Sequence, residues 1–217
     1  MLVLNPPTLV TIALVVIGAI VATPVLAKGF GRAGKGVFYE RNFWIQRAPQ
    51  FASLIAIALI AFGFFAYNDV IVPPEAKPFL TMADFLPPMV AQVVSWLGVA
   101  ILLSGLIFMI GGWYSLGEMF STDAEVLDNH TVRNNGMLKY CMHPIYSGII
   151  QSLLGASLAA LSHTAALFTV AVVATLWLRR AKYEETLLLE SLGPDYKKYA
   201  EGLKWRRLVP PIIPIGM

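Results

Sequence analysis

The chain has 217 residues, 57% of them hydrophobic and 13% charged, with a formal net charge of +3. Soluble domains carry roughly 25% charged residues, so this composition describes an integral membrane protein, and its length suits one domain. The single cysteine, Cys141, excludes an internal disulfide, and no basic block with interleaved aromatics points to nucleic acid.

The first apolar run, about residues 9–27, is long enough to cross a bilayer. No Lys or Arg precedes it, which argues against a cleaved signal peptide. Residues 28–47 form a polar link carrying Lys28, Arg32, Lys35, Arg41 and Arg47, with glycines at 29, 31, 34 and 36. It lacks the GK[ST] ending and the preceding strand of a phosphate-binding loop. A second span covers about residues 51–67. Pro73, Pro74, Pro78, Pro87 and Pro88 then punctuate a turn-rich segment with Asp69, Glu75, Lys77 and Asp84. The third span is about residues 89–112. Its Gly98, Gly105 and Gly112 recur every seven residues, on one helix face, as close packing of membrane helices requires.

Residues 113–142 are a polar island, and 130–146 read HTVRNNGMLKYCMHPIY. Proline suits the first turn of a helix, and the residue before it is pushed out of the helical region. His143 is therefore expected at an N-cap, Pro144 at the first helical position and Tyr146 in the first turn. Unpaired backbone N–H groups there can receive a carboxylate or phosphate. A plain loop entering a membrane helix has the same residue types. The apolar stretch 145–178 is too long for one span and short for two. A turn at His163 divides it into a hairpin of about 144–161 and 165–178. Residues 179–192, RRAKYEETLLLESL, are good helix formers that extend the second arm into water. Leu188, Leu189 and Leu192 give that extension an apolar side, and Gly193-Pro194 is expected to end it. The tail, 195–217, is basic and aromatic, a composition suited to lipid headgroups.

With five spans, fifteen of the sixteen Lys and Arg residues fall on one face and only Lys77 lies opposite. The positive-inside rule puts the N-terminus outside and the polar island and C-terminal region in the cytoplasm. The expected fold is all-α: about five transmembrane helices with a cytoplasmic C-terminal helical extension. Residues 1–112 supply three spans and residues 113–217 the hairpin and the cytoplasmic segment.

This arrangement brings 130–146 and Arg179–Glu185 to the same membrane edge. Arg180 and Glu184 are one helical turn apart and can pair, although this order is worth only a few tenths of a kcal/mol at a surface. A solvated, charged helix end has the same residue types. His130, Cys141 and His143 fit no common zinc spacing, so no metal is expected. Ser-nucleophile, Walker and HExxH motifs are absent from the sequence.

The order His130-Thr131, Gly136, then His143-Pro144-x-Tyr146-x-Gly148 resembles the isoprenylcysteine carboxyl methyltransferase family and its phospholipid methyltransferase relatives. Arg180-x-x-x-Glu184-Glu185-x-x-Leu188, then Gly193-x-x-Tyr196-x-x-Tyr199 and Pro210, resembles the family's C-terminal signature. The two together cover about residues 113–210.

The resemblance implies a methyltransferase using S-adenosyl-L-methionine and embedded in a bacterial-type inner membrane. It implies a lipophilic methyl acceptor drawn from the bilayer, possible acceptors including an isoprenylcysteine-type carboxylate. Carried over by position, His130, Thr131, Val132, Arg133, Leu138, His143, Pro144, Ile145, Tyr146 and Glu184 would line the cofactor. Arg180 would face the acceptor, and Arg180, Glu184 and Glu185 would form the catalytic set. Three positions depart from the family pattern. Met142 stands where an Arg is usual, Leu138 where an aromatic is usual, and Asp123 where a cofactor-contacting amide is expected. Two other classes remain: a membrane reductase using NADPH, which would have Asn where this chain has Ile145, and a non-enzymatic membrane protein.

Overall fold

The computed structural model describes residues 5–36, 42–127, 130–204 and 206–209, and among them the architecture is all-α. The first helix, α1 (Pro6–Arg32), starts where Asn5 Oδ1 accepts the Thr8 backbone N–H at 3.0 Å, with prolines in the first turn. The short α2 (Phe43–Gln46) leads directly into α3 (Ala48–Tyr67). A single turn, α4 (Lys77–Leu80), lies before the long α5 (Pro88–Leu116). Then come α6 (Pro144–Ala159), α7 (His163–Phe168) and α8 (Ala174–Gly202). A π-helical turn, Thr169–Val173, joins α7 to α8, so helix runs from His163 to Gly202, 40 residues with a kink at Gly193.

Four of the expected five spans are long and apolar enough to cross a membrane: Pro6–Arg32, Ala48–Tyr67, Pro88–Met119 and His163–Gly202. The remaining element, α6, has 16 residues and is about 24 Å long at 1.5 Å per residue. It does not need to face lipid along its length, because α5 covers it. Gly98, Gly105 and Gly112 do lie on the packed face of α5. A Cβ at Gly98 would sit 2.3 Å from the Ala159 backbone N, and one at Gly105 would sit 2.5 Å from the Ser152 N. The fit is reciprocal: a Cβ at Gly148 or Gly155 of α6 would lie 2.3 Å from the backbone N of Met109 or Leu102 of α5. Glycine on both helices lets the two backbones touch, which is how membrane helices pack without a hydrophobic drive.

The expected hairpin is present. The chain reverses at Leu161 in the left-handed region (φ 54°), and the Ser162 hydroxyl accepts the Ala165 N–H to start α7. The Met82 N–H donates to the Leu161 carbonyl at 2.8 Å, fixing this turn against the segment between α3 and α5. In that segment Lys77 bridges Asp69 and Asp84 at 2.9 and 3.4 Å.

At the other end of the bundle, residues 117–126 are stitched beneath α1 and α2. Arg32 donates to the Gly117 and Phe120 carbonyls, the Gly36 N–H donates to Glu125, and Arg47 pairs with Asp123 at 2.6 Å. The Gln46 amide makes two bonds to the Ala124 backbone, 2.8 and 3.0 Å. One expectation is corrected here and another is extended. The glycine-bearing link is helical through Arg32, since α1 outlasts its apolar run. Gly193-Pro194 ends the straight part of α8 as expected: Gly193 turns to φ 51°, ψ −125°, and a second helical segment then runs to Gly202 in a new direction. A positive-φ glycine followed by proline both stops one helix and starts the next.

Candidate active site at one end of the bundle

His143 is the N-cap of α6 and Pro144 its first residue, as the sequence predicts. That start puts His143 and Tyr146 on one side of the first turn, facing α8. Arg180, Glu184 and Glu185 approach from α8. Tyr146 OH donates to Glu184 Oε1, and Arg180 Nε donates to both the tyrosine oxygen (3.0 Å) and Glu184 Oε1 (3.1 Å). His143 lies between the two glutamates, with Nδ1 3.7 Å from Glu184 Oε2 and Nε2 3.2 Å from Glu185 Oε1.

Arg180 is 2% exposed. Its Nη1 donates to the Gln46 carbonyl at 3.1 Å and its Nη2 to the Thr122 carbonyl at 2.8 Å. The guanidinium also lies over the Trp177 ring, 5.5 Å from the centroid. Arg180 is thus the meeting point of α8, α6, the α2–α3 junction and the 117–126 loop. Arg179, its neighbour, is exposed.

Glu185 is buried behind His143, and Arg207 closes its other side at 2.7 Å. Residues 206–209 run alongside the entrance to α6. The Met142 and His143 N–H groups donate to the Arg206 and Arg207 carbonyls, and the Val209 N–H donates to the Ser147 hydroxyl. Tyr196 OH contacts Met142 Sδ, and Tyr199 OH donates to the Leu138 carbonyl at 2.8 Å.

A cavity of about 1160 Å³ starts at this cluster and continues between α1, α3, α5 and α6. Every residue assigned to the cofactor by resemblance lines it: His130 to Arg133, Leu138, His143 to Tyr146, and Glu184. Arg180 lines it too; Glu185 does not. His130 Nδ1 is buried without a hydrogen-bond partner among the described residues. Burial holds the His130 imidazole below its ordinary pKa, against the opposing pull of Glu184. Asp123, which departs from the family pattern, is occupied by Arg47.

Sequence reasoning missed several residues here. Trp177 packs on Tyr146 with centroids 4.6 Å apart, and its place one turn before Arg180 on the same helix face is a signal that could have found it. Nothing local signals Gln46 or Arg207, because their partners are far away in the chain. Among the described residues no cluster suits a metal ion.

Fold and site together define a polytopic helical membrane protein with a buried ionic cluster opening into a long apolar cavity. Residues 96–190 match the family model described as the isoprenylcysteine carboxyl methyltransferase (ICMT) family. The match takes in most of α5, the polar island, the hairpin and Arg180 to Glu185, and it bears out the resemblance carried by the motifs. With the membrane-length helices, it supports a membrane methyltransferase. No curated protein matches the chain.

Proposed function

We propose that the protein is an S-adenosylmethionine-dependent methyltransferase whose lipophilic acceptor enters from the bilayer. The observation that carries this reading is the continuity of the cavity: one space joins the ionic cluster to an apolar gallery between α1 and α3. A water-soluble cofactor and a lipid acceptor differ so much in polarity that a shared site must be polar at one end and apolar at the other.

The residues present fit the cofactor. His130 Nδ1 is a buried polar atom in need of a partner, beside a helix start whose first-turn N–H groups favour a carboxylate. Glu184, Tyr196 and Tyr199 offer a carboxylate and aromatic faces to positive charge. His130, Thr131, Val132, Arg133, Leu138, His143, Pro144, Ile145, Tyr146 and Glu184 would hold it. When bound, S-adenosylmethionine supplies a methyl carbon activated by its sulfonium. Arg180, fixed by four acceptors, holds Tyr146 and Glu184 in place and presents a guanidinium edge to an anionic acceptor such as an isoprenylcysteine-type carboxylate. Glu185 fixes His143 from behind. The packed walls exclude water, and alignment does most of the remaining work. An acceptor that is already an anion needs no strong base.

By the positive-inside rule the cluster faces the cytoplasm of a bacterial-type inner membrane, with residues 1–112 as the spanning half and residues 113–217 carrying the site. The test is ligand-induced stabilisation. S-adenosylhomocysteine should raise the melting temperature of the purified protein and NADPH should not. Stabilisation by NADPH alone would favour the reductase reading, and stabilisation by neither would favour a non-enzymatic protein.

A further inference from the structure

Outside the expected cofactor residues, three buried polar atoms line the cavity without a hydrogen-bond partner among the described residues: Thr11 Oγ1, Gln50 Oε1 and Ser152 Oγ. The two hydroxyls sit within α1 and α6, where rotation can turn them to a carbonyl one turn earlier. An amide oxygen needs a donor from elsewhere, because it carries no hydrogen to redirect. Gln50 is therefore the polar group that the fold leaves waiting.

Its position is set from both sides. Four residues earlier, the Gln46 carbonyl accepts Arg180 Nη1 at 3.1 Å. Three residues later, the Ser53 hydroxyl accepts Trp177 Nε1 at 3.1 Å. Arg180 and Trp177 are one turn apart on α8, so Gln50 stands opposite that turn, where the ionic cluster gives way to the apolar gallery. The neighbouring cations pair with carboxylates, Arg180 with Glu184 and Arg47 with Asp123, and neither satisfies the Gln50 oxygen.

Resting on the methyltransferase reading, we propose that Gln50 is a specificity-determining residue that accepts a hydrogen bond from an N–H or O–H of the methyl acceptor. The acceptor class is then an amphiphile carrying a donor group beside the methylated atom, such as an acylamino or hydroxyl group, rather than a bare acid or ester. An amide oxygen is too weak a base to remove that proton, so the donor stays on the product. Losing the donor would leave Gln50 unpaired in the complex, which is how a buried polar group discriminates against an analogue lacking its partner.

The test uses purified full-length protein, labelled S-adenosylmethionine and total lipid extract from the expression host. Gln50→Met keeps the shape and removes the amide. It should raise the ligand-free melting temperature by roughly 2–4 °C, since an unpaired buried polar atom is gone. It should leave the S-adenosylhomocysteine-induced shift unchanged and raise the half-saturating lipid concentration on the order of tenfold. The wild-type labelled lipid, identified by mass spectrometry, should carry an N–H or O–H near the new methyl group. An unchanged half-saturating concentration, or a product without such a donor, overturns the proposal while the methyltransferase reading stands. A wild type showing neither a cofactor shift nor incorporated label overturns both.

Discussion

The rings of His143 and Tyr146 are stacked parallel, their centroids 5.3 Å apart and their planes 4° from parallel. Two residues separate them, and the first turn of α6 brings them together. Stacking holds both rings so that each addresses a glutamate of α8. Tyr146→Phe preserves the stack and removes the hydroxyl that links Arg180 to Glu184. We expect S-adenosylhomocysteine affinity to fall by about tenfold with the fold intact, the cost of one charge-assisted hydrogen bond. Calorimetric titration measures it, and unchanged affinity would remove Tyr146 from the cofactor site.

Arg179 and Arg180 test how the cluster is built. If this were a solvated helix end, glutamine at either position would cost well under ~1 kcal/mol. Arg180 is 2% exposed and has four acceptors, so Arg180→Gln leaves Glu184 without its cation and two carbonyls without donors. The expected loss is about 3 kcal/mol or more, against about 0.5 kcal/mol or less for Arg179→Gln. Arg180→Lys should restore little, because an ammonium on a flexible stem cannot span acceptors on three elements. Thermal unfolding in detergent distinguishes the pair. Equal melting temperatures would mean that the buried network contributes nothing.

Glu185 and Arg207 form a second buried pair, 22 residues apart in sequence. A double-mutant cycle with Glu185→Gln and Arg207→Gln should give a coupling energy of about 1–3 kcal/mol. Additive effects would show that residues 206–209 rest on the site without bracing it.

The contact between α5 and α6 predicts two opposite responses to added methyl groups. Gly155→Ala places a Cβ 2.3 Å from the Leu102 backbone N, so the helices must separate. The variant should lose several kcal/mol or fail to accumulate. Gly31→Ala in α1 meets nothing within 4 Å and should be neutral or slightly stabilising. If both variants unfold at the wild-type temperature, the backbone contact is absent.

Cys141 is 0% exposed, and burial pushes its thiol up to about 11, so at pH 7.5 almost none is thiolate. Native protein should resist maleimide, and denatured protein should react fully. The silent background makes topology measurable. A cysteine introduced at the exposed Glu75 should label from outside the cell, and labelling only from the cytoplasmic side would reverse the proposed orientation.

Much of this was legible in the sequence because proline and glycine act locally. Pro144 fixes φ and rejects helix at His143, so the start of α6 follows from two adjacent residues. The seven-residue spacing of Gly98, Gly105 and Gly112 marks a packed face with no partner named. The partner is α6, whose Gly148 and Gly155 carry the same spacing. Arg180 and Glu184 are one turn apart, so their pairing was also local.

Other features depend on distant parts of the chain. The contact of Gln46 with Ala124 joins residues 78 apart, and Arg180 reaches Thr122 across 58. No periodicity reports such a meeting. Gly193-Pro194 marks the end of one helix correctly, but the dipeptide does not say whether another helix follows. Only packing decides, and here the buried Tyr196 shows that the resumed helix folds back over the site. The arm that becomes α6 was legible as an apolar run, but its 16 residues make it shorter than the other membrane-crossing helices.

The placement of residues 206–209 bears on how the protein is made. Their backbone completes the surroundings of Met142 and His143, yet they are synthesised after every helix that faces lipid. The nascent chain can therefore insert its helices while the ligand-binding end is still unfinished. Membrane integration and pocket maturation are then separable events in biogenesis. A chain stopped after residue 204 should be found in the membrane fraction yet be unable to retain ligand, so correct localisation alone does not certify a functional molecule.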